Sequence, residues 1–192
     1  MPKARLEAFS DGVIAIIITI MVLEMKVPHD GHLDSLKPVL PVFLSYILSF
    51  VYLGIYWNNH HHLLHAAKHI NGKIMWANLH LLFWLSLIPF VSGWLGEHGG
   101  AVPTAFYGGV LFMAGLAYLI LQNFLVESHG RESLLASALG RDWKGQVSVI
   151  GYLLAIILAF VQEWLAHAIY VFVALMWFVP DQRIEKRIQS VS

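Results

Sequence analysis

RLEAFSDGVIAIIITIMVLEM, residues 5–25, joins a polar start to an unbroken apolar run from Gly12 to Leu23. Ser10 and Asp11 stand directly at the mouth of that run, where a hydroxyl and a carboxylate are costly to bury. With its flanks the run fills a window of spanning length, at about residues 6–26, and a helix crosses a bilayer with ~20 residues. Lys3 and Arg5 precede it as they would in a secretory leader, but Glu7 and Asp11 interrupt the basic segment. VLEMKVPHD, which follows, offers no small-x-small cleavage site. The stretch is therefore expected to be a retained first transmembrane helix.

Composition extends this reading to the whole chain. Its 192 residues are 58% hydrophobic and 12% charged, about half the charge of an average soluble domain. A formal net charge of zero argues against a nucleic-acid partner. Cysteine is absent, so a disulfide framework, a thiolate nucleophile and a cysteine metal site are excluded. Windows of spanning length predict six helices, at about residues 6–26, 36–58, 74–95, 103–126, 146–162 and 164–180. The expected fold is all-α, a polytopic membrane protein with one six-helix domain over residues 1–192. Pro38 and Pro41 open the second span and Pro89 is expected to kink the third. Small residues recur on the fourth (Gly108, Gly109, Ala114, Gly115, Ala117), and Gln162-Glu163 forms a tight turn between the last two.

Basic residues set the orientation. With a cytoplasmic N-terminus, the inner segments hold Lys3, Arg5, Lys68, Lys73, Arg131, Arg141, Lys144, Arg183, Lys186 and Arg187. The outer segments hold only Lys26 and Lys37. This is the bias of the positive-inside rule, and an even number of spans returns the C-terminus to the cytoplasm.

On a helical wheel, at ~100° per residue, Ile16, Thr19, Ile20 and Leu23 share one face. Asp11 projects roughly 140° and Ser10 about 120° away from Ile16 by the same arithmetic. The two polar residues must then point into protein. Trp57 and His60 on the second span and Asn78 on the third stand at matching depth as partners. By periodicity alone the apolar face is ordinary lipid-facing or core surface, since nearly every membrane helix carries such a stripe.

The pattern RxxxFSDxxxxxxxT, here Arg5, Phe9, Ser10, Asp11 and Thr19, resembles the signature of the transmembrane protein 175 family of potassium channels. The likeness continues in YWNNHHHL (Trp57, His60, His61) and in WANLHLLFWLSLIPF (Asn78, Ser86, Leu87, Pro89, Phe90). Asn58, Asn59 and His62 depart from the pattern, so His60 and His61 both stand as contacts. The resemblance implies six helices per repeat and a pore lined by the first helix of each. A chain with one repeat resembles the bacterial type, a homotetramer in the cell's inner membrane. It implies passage of potassium and other monovalent cations, no cofactor, and a hydrophobic constriction at Ile16 with further layers at Ile20 and Leu23. Arg5, Phe9, Ser10, Asp11, Trp57, His60, His61 and Asn78 are then the anchor that fixes the rotation of the pore helix.

No TVGYG segment occurs, so a carbonyl filter of that kind is not expected. Thr19 hydroxyls can offer oxygen to a partly dehydrated cation, or can instead back-bond to their own helix. Glu24 and Asp34 can concentrate cations at the outer mouth, though a solvated helix end explains Glu24 as well. Two other classes compete. In HHHLLH, His61, His65 and His69 follow one another at i, i+4, a spacing that presents imidazoles to a metal in a membrane enzyme. His80, His98, His129 and His167 stand alone, however, and acidic co-ligands are missing nearby. A secondary transporter would show paired halves and broken helices, and no second half is visible.

Overall fold

A computed structural model describes residues 2–130 and 143–178 of the chain. Helix α1 (Lys3–Ile20) ends in a single 3₁₀ turn, Met21–Glu24. A second 3₁₀ stretch, Leu33–Val39, feeds α2 (Leu40–Ala66), with Pro38 inside the stretch and Pro41 in the first turn of the helix. Then follow α3 (Gly72–Ser86), α4 (Ile88–His98), α5 (Ala101–His129), α6 (Trp143–Ala159) and α7 (Glu163–Phe178). No strand occurs among the described residues.

The six expected spans are recovered, the third as a broken rod. Lys3–Glu24, Leu33–Ala66, Gly72–His98 and Ala101–His129 are each long and apolar enough to cross a bilayer. α6 and α7, with 17 and 16 residues, are shorter, as their sequence windows implied. The third span breaks at Leu87, and Pro89 opens α4, where its missing N–H costs no helical bond. α6 and α7 form a tight hairpin in which the Gln162 amide donates to Leu158 O at 2.7 Å. Arg131, Arg141, Arg183, Lys186 and Arg187 and the last residues of the sixth span lie outside the described residues.

α5 is the hub, packing against α3, α4, α6 and α7. Large tyrosines fill the interior between them, and the hydroxyls of Tyr52, Tyr107 and Tyr170 are hydrogen-bonded. Tyr52 donates to Tyr170 O at 2.6 Å, Tyr170 to Thr104 O at 2.9 Å, and Tyr107 lies 3.0 Å from Ser49 Oγ. Such pairing is what allows polar tips to be buried in a bundle without water. α2 and α4 pack closely at Gly96, where a Cβ would stand 2.5 Å from Val42 Cα. α4 turns into α5 through Gly99 and Gly100, at φ 58° and 85°, a conformation that L side chains rarely adopt.

α1 leans on α2, α3 and α4 along one edge of the bundle. Its buried positions, Leu6, Ser10, Ile14 and Ile17, recur every three or four residues, and Met21 continues the ridge in the 3₁₀ turn. Only 28% of this span is buried, against 44% of the α3–α4 span. α1 is the least enclosed rod and keeps one whole face uncovered.

Candidate pore helix and its anchor

Ser10 sits at the centre of the anchor and is fully buried. Its hydroxyl donates to Leu6 O at 2.9 Å and accepts from Asn78 Nδ2 at 2.9 Å. Asn78 Oδ1 in turn lies 2.6 Å from His60 Nε2, with both residues buried. Because the amide nitrogen is spent on Ser10, the amide oxygen must accept, so Nε2 of His60 carries the proton. One chain of hydrogen bonds thus joins α1, α3 and α2, and no buried side-chain polar atom among the described residues lacks a partner. Beside it, Trp57 Nε1 donates to Asp11 Oδ1 at 3.0 Å, a second tie from α2 to α1. The depth matching of Ser10 and Asp11 with Trp57, His60 and Asn78 is therefore realised in direct contacts.

Three anchor residues expected from the pattern do not join this network. Arg5 is exposed, and its side chain meets no partner among the described residues. Phe9 is 51% exposed. The physical reason lies in the helix itself. At ~100° per residue Arg5 and Phe9 both fall within about 20° of Ile16, on the face opposite the buried ridge. His61 is also exposed, stacked between Trp57 at 6.2 Å and His65 at 6.0 Å, so His60 is the imidazole that makes the buried contact. The base of α1 is held instead by Lys3, whose Nζ donates to His65 O at the end of α2 at 2.7 Å, with Glu7 3.7 Å away. A cation on the carbonyls of a helix C-terminus is favourable, but a pairing with a backbone group 62 residues away leaves no mark in the sequence.

The far side of α1 carries the expected stripe. Ile16, Ile20 and Leu23 are 61%, 42% and 76% exposed, and Thr19 is exposed between them. Leu23 lies in the 3₁₀ turn and not on the α-helix that the sequence implied. Residues i and i+3 eclipse in such a turn, so Leu23 still stands over Ile20. The Thr19 hydroxyl donates to Ala15 O and Ile16 O at 3.1 and 2.9 Å, which is the back-bonding alternative. Its oxygen is left able to accept.

At the same end, Lys26 holds Glu97 at 2.9 Å and Lys37 holds Asp34 at 2.6 Å. Asp34 therefore faces its own counter-ion, and Glu24 is left as an exposed carboxylate beside an open cavity of about 360 Å³. Glu97 beside Lys26 raises the lysine's pKa above its ordinary value, so the pair stays ionised at neutral pH. Among the described residues no group of three or more His, Cys, Asp or Glu is placed to hold a metal.

Comparison with known proteins agrees with the architecture. The family described as endosomal/lysosomal potassium channel TMEM175 matches residues 5–89, the part that contains the anchor and the exposed stripe. A potassium channel of a Chryseobacterium species is 53% identical over 99% of this chain and 100% of its own length. One of Streptomyces collinus is 30% identical over 91% of each chain. The crystal structure of a lysosomal potassium-selective channel TMEM175 homolog from Chamaesiphon minutus superposes with a TM-score of 0.80. It is 26% identical and covers 92% of this chain and 96% of that one. These are channels and not enzymes, which removes the histidine-box reading of HHHLLH. By sequence along its whole length and by fold, this chain belongs to the TMEM175 family.

Proposed function

We propose that the chain is the subunit of a potassium-permeable cation channel, a single domain over residues 1–192 that assembles as a homotetramer. In this reading it sits in a bacterial inner membrane with both termini cytoplasmic, and α1 of each subunit lines the pore. The observation that carries the reading is the division of α1 into two faces. One is tied to α2 and α3 through Ser10, Asp11, Asn78, His60 and Trp57. The other presents Ile16, Ile20 and Leu23, which the described residues leave exposed. Relatives that match along nearly the whole chain and are named potassium channels support the same activity.

Four copies of α1 around an axis bring four Ile16 side chains together, and a ring of branched alkanes closes a pore by sterics or by dewetting. Ile20 and Leu23 add layers toward the outer mouth. Thr19 contributes oxygen lone pairs between those layers, since its donor is already spent on the helix. Discrimination of potassium then comes from partial dehydration at this constriction and not from a TVGYG carbonyl filter, and a modest preference over sodium is expected.

The direct test is flux. Purified protein reconstituted in liposomes with a potassium gradient should carry a potassium current or drive proton uptake coupled through an added protonophore. Vesicles with protein but no potassium-dependent flux would reject the channel reading.

A further inference from the structure

The end of α5 and the connection between α2 and α3 meet in a pair of histidines that the anchor does not use. His129 is the last residue of α5. Its Nδ1 lies 2.8 Å from Leu125 O, which can only accept, so Nδ1 carries a proton. Its Nε2 accepts from two backbone amides of the connection, Lys68 N at 2.8 Å and His69 N at 3.3 Å. Both contacts require the neutral ring in a single tautomer. The His69 ring stacks on His129 with centroids 4.2 Å apart, and His69 Nε2 lies 2.9 Å from Ser128 Oγ. Asn71, the N-cap of α3, also donates to Ser128 Oγ at 3.2 Å.

We propose that His129, stacked on His69, is a proton-operated latch that fastens the α2–α3 connection to the end of α5 when neutral and releases it when protonated. The chemistry is asymmetric. A hydroxyl both donates and accepts, so Ser128 can keep its bond to His69 in either charge state. His129 cannot adapt in this way. A proton on Nε2 turns the acceptor of two N–H groups into a third donor pointing at them, and the contact is lost. The imidazolium is reached by acidification, so a fall in pH is the stimulus.

Other titratable groups on the elements that meet here are His65 at the end of α2, Lys68 in the connection, Lys73 in the first turn of α3, Glu127 on α5 and Lys144 in the first turn of α6. Among the described residues no carboxylate forms an ion pair with either ring, so no anion there offsets a charged pair of stacked imidazoles. Release matters because α2 and α3 bear Trp57, His60 and Asn78, which hold α1 in rotation. Loosening their connection loosens the frame of the exposed stripe. The latch does not depend on the channel reading; only its placement on the cytoplasmic side does.

The test is hydrogen–deuterium exchange of the full-length protein in lipid nanodiscs, where both faces see the same buffer. After correction for intrinsic rates, exchange at the Lys68 and His69 amides should rise about tenfold between about pH 7.5 and about pH 5.5, as loss of one hydrogen bond implies. His129→Gln, which keeps a neutral acceptor, should make that exchange independent of pH, while His69→Gln should preserve the pH response. No change in the wild-type protein, or an unchanged response in His129→Gln, would overturn the latch. Nitrogen NMR of the wild-type ring gives a reading that needs no variant: a neutral Nδ1–H tautomer is expected at about pH 7.5, and an Nε2–H tautomer contradicts the proposal.

Discussion

Ser10, Asn78 and His60 illustrate how a membrane protein buries polar atoms when every donor is matched to an acceptor. Asn78→Ala leaves the His60 N–H and the Ser10 oxygen without partners inside the bundle, at a cost of about 1–3 kcal/mol. Thermal unfolding of the purified protein in detergent should register that loss. Arg5→Ala should stay within about 0.5 kcal/mol of wild type in the same assay, because its side chain is exposed and meets no partner among the described residues. The contrast bears on what was legible. Burial of Ser10 and Asp11 toward Trp57, His60 and Asn78 follows from helix angle and depth, both encoded in residue spacing. Arg5 and Phe9 share the motif with Ser10 but not its face, and motif membership hides angular differences of about 140° and about 100° at ~100° per residue. The Lys3 contact was not legible because its acceptor is a backbone carbonyl, present at every position of every sequence.

At the scale of elements, apolar runs and prolines locate the helices, whereas the ends of helices depend on packing. The wheel for α1 assumed a helix through residue 26, yet the α-helix stops at Ile20 and a 3₁₀ turn carries Met21 inward. Close approach is similarly hard to read from small residues. A Cβ at Gly109 on α5 would meet nothing within 4 Å among the described residues, while Gly96, in no conspicuous pattern, is pressed against the backbone of α2 at Val42. Gly96→Ala should therefore lower stability by about 1–3 kcal/mol through overpacking of α2 on α4. Gly109→Ala should be neutral or slightly stabilising, because alanine is the better helix former by about 1 kcal/mol. Unfolding midpoints of the two variants measured side by side decide the matter, and equal effects would show that the α2–α4 contact yields freely.

For the whole molecule, orientation follows from the ten-to-two distribution of Lys and Arg, and half of the ten lie outside the described residues. A reporter fused to the C-terminus that works only outside the cytoplasm should be silent, and activity would reject an even number of crossings. Assembly is the property a single chain expresses least. The stripe of α1 is apolar whether it faces lipid, a partner helix or a closed pore, so periodicity cannot choose among them. What singles it out is the clamp on the opposite face, a product of contacts among three helices, together with membership of the TMEM175 family.

The central claim is that Ile16 forms the narrowest ring of a pore lined by α1, and conductance of Ile16→Asn tests it most directly. An amide hydrates where a branched alkane does not, so the substitution wets the constriction. Ile16 is 61% exposed in its own chain, so the variant should fold and assemble normally. In liposomes or planar bilayers its current should exceed that of wild type and its preference for potassium over sodium should fall. Wild-type conductance and selectivity in a correctly assembled Ile16→Asn protein would contradict the claim and move the constriction elsewhere.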